Sequence, residues 1–174
     1  MKDAIPTRQS RVRWIGAIAV AVAANLGGVA RAERPLAPVA PMRLLNLGDV
    51  RFGPGPACLP RGAEEAVIEG DPAHGASLTV LRLPEGYRVP WHLARTQRLV
   101  TVLGGAVMVA TADGGGRVLT AGGLALLDGD RPVRFTCAGG GACLIEVHDI
   151  GPRRLTYVDP DDDPRRLMPP ARRQ

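Results

Sequence analysis

The side chain best suited to chemistry in this sequence is His92. It lies in the run GYRVPWHLARTQRLVTVLGG (residues 86–105), which begins and ends with glycine and finishes in an apolar stretch typical of a β-strand. A neutral imidazole is the commonest metal ligand in proteins, and it also serves as a general base. One imidazole cannot chelate a metal by itself, so a site at His92 requires further donors from elsewhere in the chain.

The donors that could join His92 come from the run LIEVHDI near the end of the chain. Glu146 precedes His148 by two residues, so both side chains project from one face of a strand. One hypothesis is a replacement metal site made of His92, His148 and Glu146. The other is that His148 is a buried, hydrogen-bonded core histidine and that His92 is a structural residue. The third histidine, His74, lies in a turn, where we expect it to be solvated.

Arg98 is the second residue with an unusual setting. Alternation along QRLVTVL (97–103) puts Arg98, Val100 and Val102 on one face of a strand. If that face points inward, Arg98 needs a partner, because a buried unpaired charge is costly. Two alternatives remain open: an internal carboxylate such as Glu146 or Glu69, or an anionic ligand held in bidentate fashion by the guanidinium. Further arginines that could line the same rim are Arg95, Arg131 and Arg134.

The elements that must position these residues are short strands. From about residue 46 the chain shows short apolar runs broken by Gly, Pro and Asp at intervals of roughly 8–12 residues, without a sustained helical period. This pattern predicts an all-β sandwich or barrel over 46–158. ADGGGR (112–117) predicts a hairpin turn. We expect 33–45 to be an extended arm and 159–174 a charged, proline-rich tail without a core of its own.

The first 32 residues have the features of a secretory signal peptide. A basic start is followed by the apolar run WIGAIAVAVAANLGGVA (14–30), and Ala30-Arg31-Ala32 offers small residues where a signal peptidase reads. We predict cleavage after Ala32, a periplasmic or secreted protein, and no stable membrane insertion afterwards. The alternative is a retained membrane anchor, although the apolar run is short for spanning a bilayer.

The net charge excludes one class of partner. The full chain carries +5, but residues 1–32 hold five basic side chains and one acidic one, so the rest has 17 basic against 16 acidic residues, a net +1. Aromatic residues make up only 3% of the chain, too few for base stacking. Nothing in the sequence therefore supports nucleic-acid binding.

The cysteines allow one disulfide. Cys137 and Cys143 flank AGGGA (138–142), a link that places them near one another across a hairpin, and export permits oxidation. The alternative is that both, together with Cys58, are free and half-buried thiols.

The spacing of the 86–105 run resembles the first motif of the cupin superfamily. Gly86, His92 and Gly105 fall on the motif's glycine, first histidine and second glycine, whereas Ala94 takes the place of its second histidine and Arg98 that of its glutamate. In the second motif, which can start at Gly122, the histidine falls on Val133, or on Arg134 if one residue is inserted. The resemblance implies a cupin jelly-roll barrel, also called a double-stranded β-helix.

The same resemblance shapes the expected function. A cupin metal is typically held by three imidazoles and one carboxylate, and this chain retains one of those four positions. With its closing run GPRRLTYVDPDDDPR, the chain resembles an exported, single-domain bacterial subgroup. We therefore expect no metal or other cofactor, and a non-catalytic module, structural or binding a small molecule such as an anion, that forms a homodimer. The candidate ligand-binding residues inside the barrel are His92, Arg98, Arg134, Glu146 and His148.

Two enzymatic alternatives remain. The first is a metal-dependent cupin enzyme of the oxygenase or isomerase type, with a divalent transition metal held by replacement ligands around His92 and His148. The second is a metal-free enzyme of the sugar-epimerase type, which needs a histidine base, a carboxylate that orients it and a tyrosine acid. Tyr87 and Tyr157 are the only tyrosines available for that role.

Overall fold

A computed structural model describes residues 42–167, and over these residues the chain forms eleven strands in two sheets. The strands of the six-stranded sheet are β1 (Gly53–Pro54), β2 (Glu64–Gly70), β3 (Ser77–Leu83), β5 (Arg98–Gly104), β8 (Leu124–Leu127) and β10 (Cys143–Asp149). Those of the five-stranded sheet are β4 (Arg88–Ala94), β6 (Ala106–Thr111), β7 (Gly116–Thr120), β9 (Val133–Cys137) and β11 (Leu155–Tyr157).

The order of the strands gives a jelly roll. The six-stranded sheet runs β1-β2-β3-β10-β5-β8 and the five-stranded sheet β11-β4-β9-β6-β7, with antiparallel pairing throughout the described strands. From β3 to β6 and again from β8 to β11, successive strands belong to alternate sheets. The chain thus wraps around a core between the two sheets, and the predicted all-β jelly-roll architecture is confirmed.

The core follows from alternation along each strand. In β5 the buried residues are Arg98, Val100 and Val102, and their neighbours are only half-buried. β9 buries Val133, Phe135 and Cys137 in the same way. Because successive side chains of a strand point to opposite faces, each sheet contributes one apolar face to the core.

Two tyrosines tie a loop to the barrel. The hydroxyl of Tyr157 donates to the carbonyl of Cys58 at 2.6 Å, and that of Tyr87 donates to the carbonyl of Pro60. Burial raises the pKa of both phenols above the ordinary value, so they remain neutral donors. Both tyrosines are therefore held in structural hydrogen bonds at the barrel's edge.

Glycine is required at the far end of the motif that spans β4 and β5. Gly105 has φ +75°, in the left-handed region, and a Cβ at this position would lie 2.9 Å from the carbonyl oxygen of Ala142. The chain turns from β5 into β6 at this glycine. The presence of glycine at this end of the motif therefore has a geometric cause.

A disulfide joins the two sheets, and the hairpin expected between Cys137 and Cys143 is not formed, because β9 and β10 lie in different sheets. Cys137 ends β9 and Cys143 begins β10, and their sulfurs are bonded, with 5.7 Å between the Cα atoms. Both residues are almost completely buried. Cys58 is free and half-buried.

The segments around the barrel were expected to be an arm, a hairpin and a tail. β6 and β7 pair directly across residues 112–115, as the ADGGGR turn predicted. After β11, two 3-10 turns cover Pro160–Asp162 and Pro164–Leu167, and Arg165 donates to the carbonyl of Leu155 at 2.9 Å. The predicted signal peptide and nearly all of the predicted arm lie outside the described residues. Within 42–167, no helix has the length and apolar character needed to cross a membrane.

We expect the disulfide to stabilise the barrel by restricting the unfolded chain. Closing so short a loop is worth roughly 2 kcal/mol on the entropy model. Urea unfolding with and without reductant measures this free energy. Reductant should destabilise the wild type and leave C137A/C143A unchanged. A urea midpoint of the wild type that does not change when reductant is added would contradict the stabilising role of the disulfide.

Candidate functional site

The four positions that the cupin motifs assign to metal ligands all lie on inner faces of the barrel. His92 and Ala94 point inward from β4, and His92 pairs in register with Val133 of β9. Arg98 opens β5 and points inward as well. Of the two alternatives for the second motif, Val133 is the buried one, whereas Arg134 faces outward. The four positions thus hold one imidazole, one methyl group, one guanidinium and one isopropyl group, from His92, Ala94, Arg98 and Val133 in that order.

His92 is a neutral, fully packed histidine. His92 is only 2% exposed, and its Nδ1 lies 2.8 Å from the carbonyl oxygen of Pro90. A carbonyl can only accept, so the proton resides on Nδ1. The rings of Phe135 and Tyr157 flank the imidazole at centroid distances of 6.0 Å. Burial lowers the pKa of His92 to about 4, and the charge of Arg98 acts in the same direction.

Arg98 has an internal carboxylate as its partner. Nη2 of Arg98 lies 3.0 Å from Oδ1 of Asp149, which pairs with it in register across β5 and β10. Arg98 is 6% exposed and Asp149 is completely buried. The contact is ionic and poorly aligned, because neither Nη2 nor Nε of Arg98 makes a hydrogen bond within the described residues.

Arg153 completes the network from the connection between β10 and β11. Its Nε donates to Oδ2 of Asp149 at 2.9 Å, and its Nη2 donates to the hydroxyl of Thr79 at 2.6 Å. Its Nη1 pairs with Glu65. Burial by itself would lower the pKa of Arg153, but Glu65 and Asp149 outweigh it and raise that pKa. Two guanidinium groups thus face two carboxylates, and their formal charges cancel.

The space inside the barrel is small. A cavity of about 40 Å³ lies between the sheets, and His92 and Arg98 are the polar residues of an otherwise apolar lining. This volume has room for very few water molecules. Small-molecule sites in proteins are usually several hundred cubic ångströms, so this cavity is well below the size of an ordinary ligand site.

Comparison with known proteins supports the same architecture. No family model matches the sequence, and no curated protein matches it. Among solved structures, the polyketide cyclase RemF from Streptomyces resistomycificus superposes with a TM-score of 0.55 at 19% identity, covering 74% of this chain and 94% of RemF. The cupin domain of Cnp3 from Schizosaccharomyces pombe has a TM-score of 0.51 at 12% identity, covering 61% of this chain and 72% of that domain. This chain has the cupin fold. KdgF from Halomonas sp. is a further similar structure, with a TM-score of 0.50 at 12% identity, covering 63% of this chain and 94% of KdgF.

The inner face of this barrel does not fit a transition metal. His92 is the one imidazole at the four ligand positions, and the other three residues offer no lone pair. A guanidinium cannot ligate, and its positive charge repels a divalent cation. Within the described residues, no group of three His, Cys, Asp or Glu side chains is arranged to hold a metal ion.

Three of the candidate residues lie on outer faces of the cupin barrel and not in its interior. β10 buries Cys143, Ile145, Val147 and Asp149, so Glu146 and His148 point to the other side. His148 is exposed, and the expectation that it is a core histidine is wrong. Arg134 stacks on the ring of Trp91, 4.9 Å from its centroid.

The replacement site made of His92, His148 and Glu146 is therefore not formed, because the three residues do not share a face. The expected partners of Arg98 were also wrong. Glu69 is exposed and lies 3.6 Å from Arg43 in an ion pair. The actual partner, Asp149, could have been found by extending the alternation of Ile145 and Val147 by one step. No comparable sequence pattern identifies Arg153 as a partner of Asp149, because Arg153 lies in the connection between β10 and β11 and not on a strand.

We expect Asp149 to be the most sensitive residue of the network. Asp149→Asn leaves two buried guanidinium groups with one carboxylate and should cost roughly 3–5 kcal/mol in the free energy of unfolding. Arg98→Met should cost less, because Asp149 keeps Arg153. The matched control is Asp161→Asn, which removes an exposed carboxylate that pairs with Arg166 at 3.8 Å. Urea unfolding provides the measurement, and an Asp149→Asn protein as stable as the control would contradict the role assigned to the network.

His92 should make the barrel sensitive to acid. The folded state holds its pKa near 4, below the ordinary value of 6.5, so the unfolded chain binds the proton more tightly. The contribution of neutral His92 to the free energy of unfolding is fully present above pH 6.5. It is lost as the pH falls through 4, by roughly 3 kcal/mol in total. His92→Asn should flatten the dependence of stability on pH in this window, and the exposed His148→Asn should not. Equal slopes for the wild type and His92→Asn would refute the assignment.

Proposed function

We propose that this chain is an exported, metal-free cupin that acts as a non-catalytic binding or structural module. The observation that carries the proposal is the pairing of Arg98 with Asp149 on the inner face of the barrel. Arg98 stands where the resemblance to cupins requires a carboxylate ligand. Because its charge is already compensated by a buried aspartate, it belongs to the structural framework of the barrel.

The state of His92 supports the same proposal. Its Nδ1 is committed to the carbonyl of Pro90, and its low pKa disfavours the charged form that a general acid would need. Catalysis of the epimerase type also needs a carboxylate beside the imidazole, and the inward-facing neighbours of His92 on β4 and β9 are Ala94 and Val133. Neither metal chemistry nor acid–base chemistry has its reactive groups assembled at this position.

The small cavity limits where binding can take place. A cavity of about 40 Å³ is far smaller than ordinary small-molecule sites, and the charge of Arg98 is already compensated by Asp149. The anion binding predicted for the barrel interior is therefore disfavoured. Any small-molecule binding by this module belongs on its outer surface.

Two further features support export and self-association. The disulfide suits an oxidising compartment such as the periplasm or the exterior of the cell, in agreement with the signal-like sequence of residues 1–32.

β8 is an edge strand, and its Leu124 and Leu126 are 61% and 67% exposed. Exposed leucines on an edge strand favour pairing with a second copy, so the proposal includes a homodimer.

Metal analysis tests the proposal. Elemental analysis of the protein purified after export should find no stoichiometric transition metal, and titration with Ni²⁺ or Zn²⁺ should show no binding inside the barrel. About one iron, manganese or zinc ion per chain would overturn the proposal.

An engineered gain of function tests the assignment of the ligand positions. A94H/V133H adds two imidazoles beside His92 and should raise the affinity for Ni²⁺ at least about tenfold, equivalent to about 1.4 kcal/mol. The control H92A/A94H/V133H should lose that gain, because the third donor is removed. No gain in the double variant would mean that these residues do not converge.

A further inference from the structure

An open groove on the outer surface of the barrel is unusually rich in arginine. It has a volume of about 650 Å³, in the range of small-molecule sites. The residues that line it are Ala73, Arg95, Arg153, Arg154, Leu155, Thr156 and Arg165. Four of these seven are arginines, and none is acidic. The groove therefore presents a concave, positively charged surface.

Strand pairing brings two of the arginines together. Leu155 of β11 pairs with Ala94 of β4, and both point into the core. Arg95 directly follows Ala94 and Arg154 directly precedes Leu155, so the two arginines lie opposite each other just beyond the ends of these antiparallel strands. The backbone N–H of Arg95 donates to the carbonyl of Arg154 at 3.2 Å. Both side chains are exposed and line the groove. Like charges at directly opposed positions of two strands are destabilising.

The four arginines differ in how their charges are compensated. Arg153 is paired with Asp149 and Glu65, and Arg165 is paired with Asp163 at 2.7 Å. For Arg95 and Arg154, no carboxylate within residues 42–167 lies inside 4 Å. Two exposed arginines whose backbones are hydrogen-bonded to each other thus line the groove without an anionic partner from residues 42–167.

We propose that this groove binds a small molecule with two or more anionic groups, each a carboxylate or a phosphate. Arg95 and Arg154 engage one group through bidentate hydrogen bonds, and the anion removes the repulsion between them. Arg165 and the hydroxyl-bearing Thr156 lie along the same groove and are available to a second group. This inference rests on the part of the proposed function that places small-molecule binding on the outer surface, and it does not depend on the interior being free of metal.

Calorimetric titration of the exported chain with citrate and with inorganic pyrophosphate tests the groove. The wild type should bind at least one of them, and the affinity should fall as salt is added, because exposed charges are screened. A preference for citrate identifies a carboxylate ligand and a preference for pyrophosphate a phosphate ligand. Glycerol, which has no charge, should not bind.

Arginine variants distinguish binding in the groove from binding that depends only on the net charge of the protein. R95Q/R154Q removes the two uncompensated charges and should weaken binding at least about tenfold. The matched control R51Q/R117Q removes two exposed arginines that do not line the groove and should stay within about twofold of the wild type. R95K/R154K keeps the charge without the planar fork and should lie between the two.

Two results would overturn the inference. One is a wild type that binds neither citrate nor pyrophosphate at low salt. The other is a control that loses as much affinity as R95Q/R154Q, which would assign the binding to overall charge. Neither result bears on the metal content of the barrel, so failure of the groove and failure of the metal-free proposal are distinguishable.

Discussion

The buried ion pair of Arg98 and Asp149 is the constraint on which the interior of this barrel depends. Asp149 has no contact with water, and each of its oxygens faces a different guanidinium group. Through Arg153 the pair extends to Glu65 and Thr79. One network of ion pairs and hydrogen bonds thus connects β2, β3, β10 and β5, four adjacent strands of the six-stranded sheet. Removing Asp149 leaves the buried charge of Arg98 without a partner, and that cost makes the aspartate the centre of the group.

This network occupies the inner face of the barrel with charged side chains that pair with one another. Arg98 occupies a ligand position but serves Asp149, and His92 is neutral and bound to a backbone carbonyl. The remaining inner space is a small, mostly apolar cavity. Two arginines without an ion-pair partner among the described residues, Arg95 and Arg154, instead lie on the outside, where they meet just beyond the ends of β4 and β11. Similar folds host many unrelated activities, so function has to be argued from such local features.

Much of the fold could be predicted from short-range patterns. The spacing of apolar runs indicated strands, and the spacing from Gly86 through His92 to Gly105 indicated how two of them are joined. The candidate site was less predictable. A strand pattern shows which residues share a face but not which face is inside, so Glu146 and His148 were paired correctly and assigned to the wrong side. The same ambiguity affected Arg134, which stacks on Trp91 outside the barrel.

The sequence by itself determined the class of architecture and the identity of the residues at the expected ligand positions, because both depend on spacing along one strand or turn. It also showed that Arg98 would need a partner. Only the tertiary structure decided that the partner is Asp149, that Arg153 joins it, and that Arg95 and Arg154 lie side by side. These contacts link residues that are far apart in sequence. They are set by the register between strands and by the path of a connecting loop, which no local pattern of residues encodes.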